Sequence, residues 1–282
     1  MPRPPELTDR MALLRNRARA AASKEPALFL QEEAALELQE RLIQVNRRFT
    51  SAAIVTGWPE VWRGRVPGAR VVADDEVLAL EPGAHDLVIH ALALHWAADP
   101  VGQLIQARRA LQPDGLFLGA LFGGQTLAEL RAVLAEAEAA VAGGLSPRVA
   151  PMGEIRDLGA LLQRAGFALP VADSLTRTVS YTDAWHLMRD LRAMGETNAL
   201  AARPRRFARR ALFETAAKRY ADAFAGPDGR VSATFEIICL TGWAPGAGQP
   251  EPLRPGSARA RLADVLGVEE TPLPDTTLPH RD

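Results

Sequence analysis

The sequence predicts an α/β protein with a doubly wound, mostly parallel sheet. Short apolar runs without polar alternation, typical of parallel strands buried on both faces, occupy residues 52–56, 70–73, 86–91 and 116–121. Segments with helical spacing of apolar residues lie between several of these runs, and strands that alternate with helices form parallel sheets. Helix caps and turn residues, described next, separate the elements.

Two helices are predicted ahead of the first strand. Asp9 is a suitable N-cap for a helix over about residues 9–22, which carries several arginines. Residues 27–46 place apolar side chains among charged ones at helical spacing, which predicts an amphipathic helix packed on the domain. We therefore assign residues 1–48 to an N-terminal helical arm.

Cap and turn residues delimit the central helices. Asp99-Pro100 combines an N-cap residue with a proline at the first helical position, and Pro113-Asp114-Gly115 turns the chain into the next strand. The spacing of Thr126 and Glu129 is that of a capping box, which predicts a helix from there to about residue 142.

The second half of the chain adds further helices and strands. A helix over 157–165 ends at Gly166, and candidate strands follow at 167–172 and 175–181. The β-branched, alternating segment 231–243 predicts a long last strand.

Helices at 183–194 and 212–224 predict an α-rich cap, inserted at about residues 183–225 of an α/β domain that covers residues 49–243. Residues 244–282 are rich in proline and glycine, which predicts a tail with at most one short helix.

Composition restricts the kinds of partner and compartment. The 282 residues carry a formal net charge of −1, which gives no reason to expect nucleic-acid binding. The single cysteine, Cys239, excludes an internal disulfide and a cysteine-cluster metal site. No apolar stretch reaches the roughly 18 residues of a membrane span, and the N-terminus lacks the apolar core of a secretory signal. We expect a cytoplasmic protein without a membrane span.

Ligands of open α/β sheets bind outside the carboxyl ends of the strands. Gly57 lies there after the first strand, Asp74 and Asp75 after the second, and residues 92–96 after the third. A glycine lets the backbone approach a ligand closely, and an acidic side chain after a strand can hold a nucleoside hydroxyl or an amino group. These residues are the candidate ligand contacts.

Long segments of the chain resemble class I S-adenosylmethionine (SAM) methyltransferases. The segments read ADDEVLALEPGAHDLVIHALALHW, SPRVAPMGEIRDLGALLQRAGFALPVAD, LMRDLRAMGETNAL and ATFEIICLTGWAP. They are most similar to the methyltransferase-like assembly factors of respiratory complex I, one of which is described as hydroxylating an arginine of its target. A more distant resemblance is to the malonyl-acyl-carrier-protein methyltransferase of biotin synthesis. The resemblance covers most of residues 25–260 and implies a Rossmann-like methyltransferase sheet.

The resemblance also implies roles for particular residues. Asp74, with Asp75 beside it, matches the acid that contacts the adenine of SAM. A second group matches the surface that faces the methyl donor and the substrate: Leu92, Ala93, Leu94, His95 and Trp96. The cap near residues 183–198 adjoins the substrate in such proteins. The implied activity is methyl transfer from SAM to a small-molecule or protein acceptor.

The chain departs from the family at the glycine-rich cofactor loop, D-x-G-x-G-T-G, that follows the first strand. Residues 55–59 read VTGWP, which retains one glycine, places a bulky ring beside it and adds a proline without an N–H. Thirteen residues, Gly57 to Ala69, separate this strand from the next, whereas one parallel crossover alone takes about a dozen. One strand–helix unit of the family is therefore missing.

The missing unit leaves two alternatives. Either the family's second strand is deleted, or residues 70–73 are that second strand and the third is missing. The segment ADDEVLAL favours the first alternative. Under the second alternative, Asp74 is the acid that holds the ribose of SAM.

Two functions follow from this mixture of features. The first is SAM-dependent methyl transfer. His95 is then either an acid/base or a substrate contact, or it is a packed histidine, since methyl transfer mainly requires alignment of donor and acceptor. The second is a cofactor-degenerate pseudoenzyme, a non-methylating binding or respiratory-complex assembly factor. In that case Trp58 and Trp62 fill the vacated cofactor space or belong to the core.

A basic segment provides a candidate docking surface. Its arginines, Arg205, Arg206, Arg209 and Arg210, form either a solvated helix face or a patch for an acidic partner, such as a carrier protein or a respiratory-complex subunit. His85 and His90 are interpreted as structural, because their spacing does not suggest a metal site.

Overall fold

A computed structural model describes residues 7–249 of the protein. A six-stranded sheet has the order β2-β1-β3-β4-β6-β5. The strands are β1 (Ala52–Thr56), β2 (Arg70–Val72), β3 (His85–Ala91), β4 (Leu111–Phe122), β5 (Ala168–Tyr181) and β6 (Val231–Trp243). β1, β2, β3 and β4 are parallel to one another, whereas β6 is antiparallel to both β4 and β5. The predicted mostly parallel α/β sheet is confirmed.

Helices cover both faces of this sheet. They are α1 (Arg10–Ala21), α2 (Phe29–Val45), α3 (Pro59–Trp62), α4 (Pro100–Ala110), α5 (Ala128–Ala142), α6 (Ile155–Arg164), α7 (Ala184–Ala193) and α8 (Arg210–Phe224). Successive strand residues point to opposite faces, so Val88 packs in one cluster with α4 and α6, while Leu87 and Ile89 pack in another with α2, α5, α7 and α8. Burial on both faces explains why these strands are continuously apolar.

The absence of one strand–helix unit is apparent at one edge of the sheet. β2 pairs directly with β1, and no strand lies outside it among residues 7–249. In the Rossmann order 3-2-1-4-5-6 this position belongs to the second strand. If the family's second strand is deleted, its third strand can take this position beside β1. The segment ADDEVLAL, which favours that deletion, is therefore compatible with the observed pairing of β1 and β2. The crossover helix shrinks to the single turn of α3, with Pro59 at its first position.

Most predicted helix starts are confirmed by their caps. The side chains of Asp9, Asp99 and Asp183 accept hydrogen bonds from the first-turn amides of α1, α4 and α7. Gly166 has φ of +83° directly after α6 and Ala165, as expected of a C′ glycine.

The predicted capping box before α5 is wrong. Leu127, in the left-handed region, precedes the helix. The Thr126 hydroxyl instead donates to the carbonyl of Glu236, and the Glu129 carboxylate accepts from the Thr234 amide and hydroxyl. These side chains form hydrogen bonds to β6 rather than to the backbone amides of the first helical turn, because β6 passes directly over the helix start.

Two strands also differ from their predicted limits. β4 begins at Leu111, which pairs with His85, and the Pro-Asp-Gly segment interrupts the ladder before Leu116 pairs with Leu87. β5 is a single strand where two were predicted, because Asp173 remains paired with Cys239 in β6.

The predicted division into arm, domain and tail remains a prediction, and the short helix predicted in the tail lies outside the described residues. α7 and α8 form the cap between β5 and β6. Within residues 7–249 no helix has the length and apolar character that crossing a membrane requires.

Candidate functional site

The N-terminal helix lies over the carboxyl ends of β1 and β2. From α1, the Nη1 of Arg17 donates to both carboxylate oxygens of Asp74, at 2.9 and 2.8 Å. The Nη2 of Arg10 bridges Asp74 and Asp75, at 2.9 and 3.0 Å. Arg10 and Arg17 are seven residues apart and therefore share one face of α1. Both predicted acids are thus bound by the protein's own arm.

The Arg17–Asp74 pair is buried. The side chains are only 6% and 3% exposed, whereas Asp75 is 62% exposed. Burial by itself opposes the negative charge of Asp74, but hydrogen bonds and charges from Arg10 and Arg17 outweigh it and lower the pKa of Asp74 well below its ordinary value. Asp74 is therefore ionised at neutral pH.

Gly57 is the only glycine between β1 and α3, and Arg17 occupies the space above it. A Cβ built on Gly57 would overlap the Arg17 guanidinium. The close backbone approach that a glycine permits is therefore used by an arginine of the same chain. The structure brings Gly57 and Asp74 together, as predicted, but around Arg17.

Trp58 and Trp62 belong to the main hydrophobic core with α2. Trp58 is 4% and Trp62 is 2% exposed. The Trp58 ring also reaches the cap, because a Cβ on Gly195 would lie 3.1 Å from its Cζ2. Both tryptophans have core positions, one of the two roles predicted for them.

The segment after β3 is fully enclosed. Leu92, Ala93 and Leu94 are 1–2% exposed, and Leu92 adopts a left-handed φ of 45° that turns the chain off the strand. A 3₁₀ turn, Leu94–Trp96, follows. The backbone of this segment matches the predicted position outside the strand end, between the sheet and the cap.

His95 and Trp96 converge on Glu196, three residues beyond the end of the cap helix α7. Trp96 Nε1 donates to Glu196 Oε2 at 2.6 Å, and His95 Nε2 lies 3.5 Å from the same oxygen, the outer limit of a hydrogen bond. The His95 ring packs against Phe122 at 4.8 Å between centroids. Burial opposes the charge of Glu196, but His95, Arg17 and Trp96 together lower its pKa. The geometry is that of a packed histidine, and an acid/base role for His95 stays a prediction.

Several buried polar atoms around this point have no hydrogen-bond partner among residues 7–249. They are Nε and Nη2 of Arg17, Nδ1 of His90, Nδ1 of His95, Nε1 of Trp58 and Oε1 of Glu196. His90 is fully buried, its Nε2 meets Gln103 Oε1 at 2.7 Å, and burial lowers its pKa. Arg10, Arg17 and Glu196 were not predicted as site residues, since sequence spacing does not reveal which charged side chains become buried.

A cavity of about 510 Å³ lies beyond Trp96, under the cap. It is bounded by α5, the 148–152 segment, α7 and Phe213 of α8. Its wall includes Trp96 from the predicted substrate segment, but neither Arg17 nor Asp74. The cavity and the Arg17–Asp74 pair are therefore separate features.

The predicted docking arginines lie at the surface. Arg205 pairs with Asp9 at 3.0 Å and Arg210 with Glu214 at 2.8 Å, whereas Arg206 and Arg209 form no ion pair within the described part of the chain. Phe207 between them is fully exposed. Among residues 7–249 no group of three histidine, cysteine or acidic side chains could hold a metal ion.

Comparisons with known proteins agree on one family. A family model described as a methyltransferase domain matches residues 17–119. The malonyl-[acyl-carrier protein] O-methyltransferase of Halorhodospira halophila is 34% identical over 210 residues, which cover 73% of this chain and 68% of the relative. The chain belongs to the class I SAM-dependent methyltransferase superfamily.

A second group of relatives is more similar in sequence to this methyltransferase-like chain. The arginine-hydroxylase NDUFAF5, mitochondrial, of Danio rerio is 39% identical over 203 residues, covering 72% of this chain. The match spans 63% of the relative's own length. Among solved structures, the YcgJ protein of Bacillus subtilis aligns with a TM-score of 0.48 at 12% identity, covering 75% of this chain and 99% of that protein.

The strand edge of this methyltransferase fold does not fit SAM as the family binds it. The glycine that would face the cofactor is covered by Arg17, and the acid that would bind the nucleoside is neutralised by Arg10 and Arg17. A bound SAM at this edge would require α1 to move and the buried ion pair to break.

Proposed function

We propose that this methyltransferase-like protein is a binding factor that does not methylate, the second of the two functions predicted from sequence. The observation that carries the proposal is the Arg17 guanidinium, which is bonded to Asp74 and covers Gly57. An intramolecular cation there occupies the contacts that a nucleoside cofactor would use. The fold is then retained as a scaffold for binding a partner.

The burial of the Arg17–Asp74 pair determines the free-energy cost of opening this edge to SAM. Breaking a buried ion pair costs about 3–5 kcal/mol. If only a minor, arm-displaced form can bind SAM, the apparent affinity falls by the fraction of that form, and about 4 kcal/mol corresponds to roughly a thousandfold. A micromolar intrinsic site would then bind SAM in the millimolar range.

The test is binding of SAM and S-adenosylhomocysteine, measured by melting temperature and by titration calorimetry. We expect no resolvable shift and flat titrations for the unaltered protein at ligand concentrations up to about 0.1 mM, whereas a ligand at 100 times its Kd adds about 2.7 kcal/mol. Micromolar binding by the unaltered protein would refute the proposal.

Two double variants in α1 test whether the arm is what prevents SAM binding. Arg10→Ala/Arg17→Ala uncovers Asp74, and Arg15→Ala/Arg19→Ala alters exposed arginines of the same helix. Circular dichroism and melting temperature confirm folding first. SAM binding gained by the first variant alone means that the arm excludes SAM, and binding by neither means that the loop itself has lost the site.

SAM-dependent methyl transfer is the second candidate. It is supported by the family match over residues 17–119 and by the 34% identity to a malonyl-[acyl-carrier protein] O-methyltransferase. Under this candidate α1 leaves the strand edge when SAM binds, and the acceptor is unspecified. Transfer of label from methyl-labelled SAM into a lysate protein or small molecule would establish it. Arginine hydroxylation, the activity named for the NDUFAF5 relatives, is a further candidate chemistry, although this chain matches only 63% of the length of the Danio rerio relative.

The proposed partner is an acidic protein surface, such as a carrier protein or a respiratory-complex subunit. Arg206, Phe207 and Arg209 are exposed together, and exposed arginines beside an exposed ring suit an acidic surface with an apolar patch. The resemblance to assembly factors of respiratory complex I motivates the second choice. A cytoplasmic location is part of the proposal, although the NDUFAF5 relatives are named mitochondrial.

Affinity capture tests this surface with charge reversals. Arg206→Glu/Arg209→Glu is expected to lose a partner that Arg156→Glu/Arg164→Glu, on the exposed side of α6, retains. The retained complex should dissociate with added salt, because exposed charges are screened. Equal capture by both variants would exclude the segment as the docking surface.

A further inference from the structure

The cavity under the cap combines an apolar interior with a positive mouth. Its volume of about 510 Å³ falls within the roughly 300–1,000 Å³ of small-molecule sites. The interior is formed by aromatic, leucine and methionine side chains: Phe122, Leu127, Leu130, Leu134, Met152, Met194 and Phe235. Methionine adapts to ligands of irregular or flexible shape.

The charged lining is dominated by arginine. Arg189 and Arg192 line the cavity and are also solvent-exposed, which puts them at its mouth, and neither forms an ion pair within residues 7–249. Arg148 is held by Glu138 at 2.6 Å and lies over the Phe213 ring. The single acidic lining residue, Glu196, has one oxygen occupied by Trp96 and the other buried.

We infer that this cavity binds a soluble anionic amphiphile, a single apolar chain with a carboxylate or phosphate head, with the chain between α5 and α7 and the head at Arg189 and Arg192. The apolar interior buries the chain, and two guanidinium groups at the mouth bind the head by charge-assisted hydrogen bonds. A cationic head would meet the repulsion of three arginines.

The inference is independent of the proposed function, because the cavity shares no residue with the Arg17–Asp74 pair and the docking segment at Arg206 and Arg209 lies outside its lining. A finding that the protein binds SAM, or that the docking variants keep their partner, would leave the inference unaffected, and its own failure would leave both of those results unchanged.

Titration calorimetry of the full chain tests it with three ligands of equal chain length, all below their critical micelle concentrations. We expect dodecanoate or dodecyl phosphate to bind with one-to-one stoichiometry and dodecyltrimethylammonium not to bind. Trp185 and Trp96 line the cavity, so tryptophan fluorescence should change in the same titration. Equal binding of the cationic ligand, or no binding of either anion, would overturn the inference.

Variants assign the binding to this cavity. Arg189→Gln/Arg192→Gln should weaken the anionic ligand by about tenfold or more, while Arg156→Gln/Arg164→Gln on α6 should leave its affinity unchanged. Met188→Trp, which narrows the cavity, should also reduce binding. Unchanged affinity in the Arg189/Arg192 variant would refute the site. Sedimentation with anionic vesicles, without binding of the free amphiphiles, would mean surface adsorption instead and would equally refute it.

Discussion

Two neighbouring parts of one sheet edge differ in what occupies them. After β3, the segment Leu92–Trp96 is enclosed by apolar packing. Between β1 and α3 the chain has a single glycine, Gly57, and a buried arginine from another element occupies the space above it. The first part is enclosed by apolar side chains, whereas the second also contains a buried ion pair.

The difference separates the requirements of the fold from those of the cofactor. A parallel strand needs a hydrogen-bonded ladder and apolar side chains on both faces, and β1 retains these with all five residues buried. A nucleotide loop also needs open space above a glycine and an unoccupied acid. In this chain arginines of α1 occupy both the space above Gly57 and the carboxylate of Asp74. The contribution of the buried ion pair can therefore be separated by mutation from that of apolar burial.

The largest effect is expected from Asp74→Ala, which leaves Arg17 buried without a counter-charge. Such a change costs about 3–5 kcal/mol of unfolding free energy, measured by urea denaturation. Asp75→Ala removes an exposed acid of the same cluster and should cost no more than about 1 kcal/mol. The double variant Arg17→Met/Asp74→Leu should recover most of the loss, and a double variant as unstable as Asp74→Ala would contradict the assignment.

Gly57→Ala should cost about 1–3 kcal/mol, because its methyl group would displace the Arg17 guanidinium from Asp74. Gly144→Ala is the matched control, since nothing lies within 4 Å of the position that its added methyl group would take. In an Arg17→Ala background the Gly57→Ala cost should disappear. A cost that persists there would mean that the backbone, rather than Arg17, excludes the methyl group.

Acid should weaken the charged part selectively. The pKa of Asp74 is lowered on folding, so its contribution is complete above its ordinary value of about 3.9 and is lost as pH falls toward the folded pKa. The stability gap between the unaltered protein and Asp74→Asn should narrow by about 1 kcal/mol between pH 4 and pH 3. The gap to Leu118→Ala, a fully buried β4 residue, should stay constant. Equal pH dependence of both gaps would remove the distinction between the two parts.

The smallest effect is expected from Arg210→Ala. Its partner Glu214 lies four residues on, and the two side chains are 89% and 53% exposed. Exposed helical pairs contribute about 0.3–0.5 kcal/mol. Thermal denaturation should therefore resolve little change, and a loss comparable to that of Asp74→Ala would show that exposure does not set the value of an ion pair here.

Local signals predicted most of the architecture. The strands at Ala52–Thr56 and Val231–Trp243 have their predicted limits, and Asp9, Asp99 and Asp183 cap the predicted helices. Prediction was wrong for the Thr126–Glu129 capping box, because β6 competes for both side chains. The sequence also predicted two strands in place of β5. In the structure β5 is continuous, because its antiparallel pairing with β6 extends across Asp173.

The candidate site was predicted only in part. Gly57 and Asp74 lie together at the strand ends because every parallel strand ends at the same edge, a consequence of fold alone. Arg17 could not be predicted there, because nothing in the sequence of α1 distinguishes it from the exposed Arg15 and Arg19. The apolar spacing of Met188, Leu191 and Met194 predicted α7 but not the cavity that these residues line.

The sequence by itself determined the family, the order of strands and helices, and the loss of a strand–helix unit with its glycine loop. These features depend on composition and spacing over short stretches of chain. Only the tertiary structure decided what replaces the lost loop, since the Arg17–Asp74 pair joins residues 57 positions apart. A buried charge is stable only beside its partner, and that partner is chosen by how α1 packs, which no local pattern encodes.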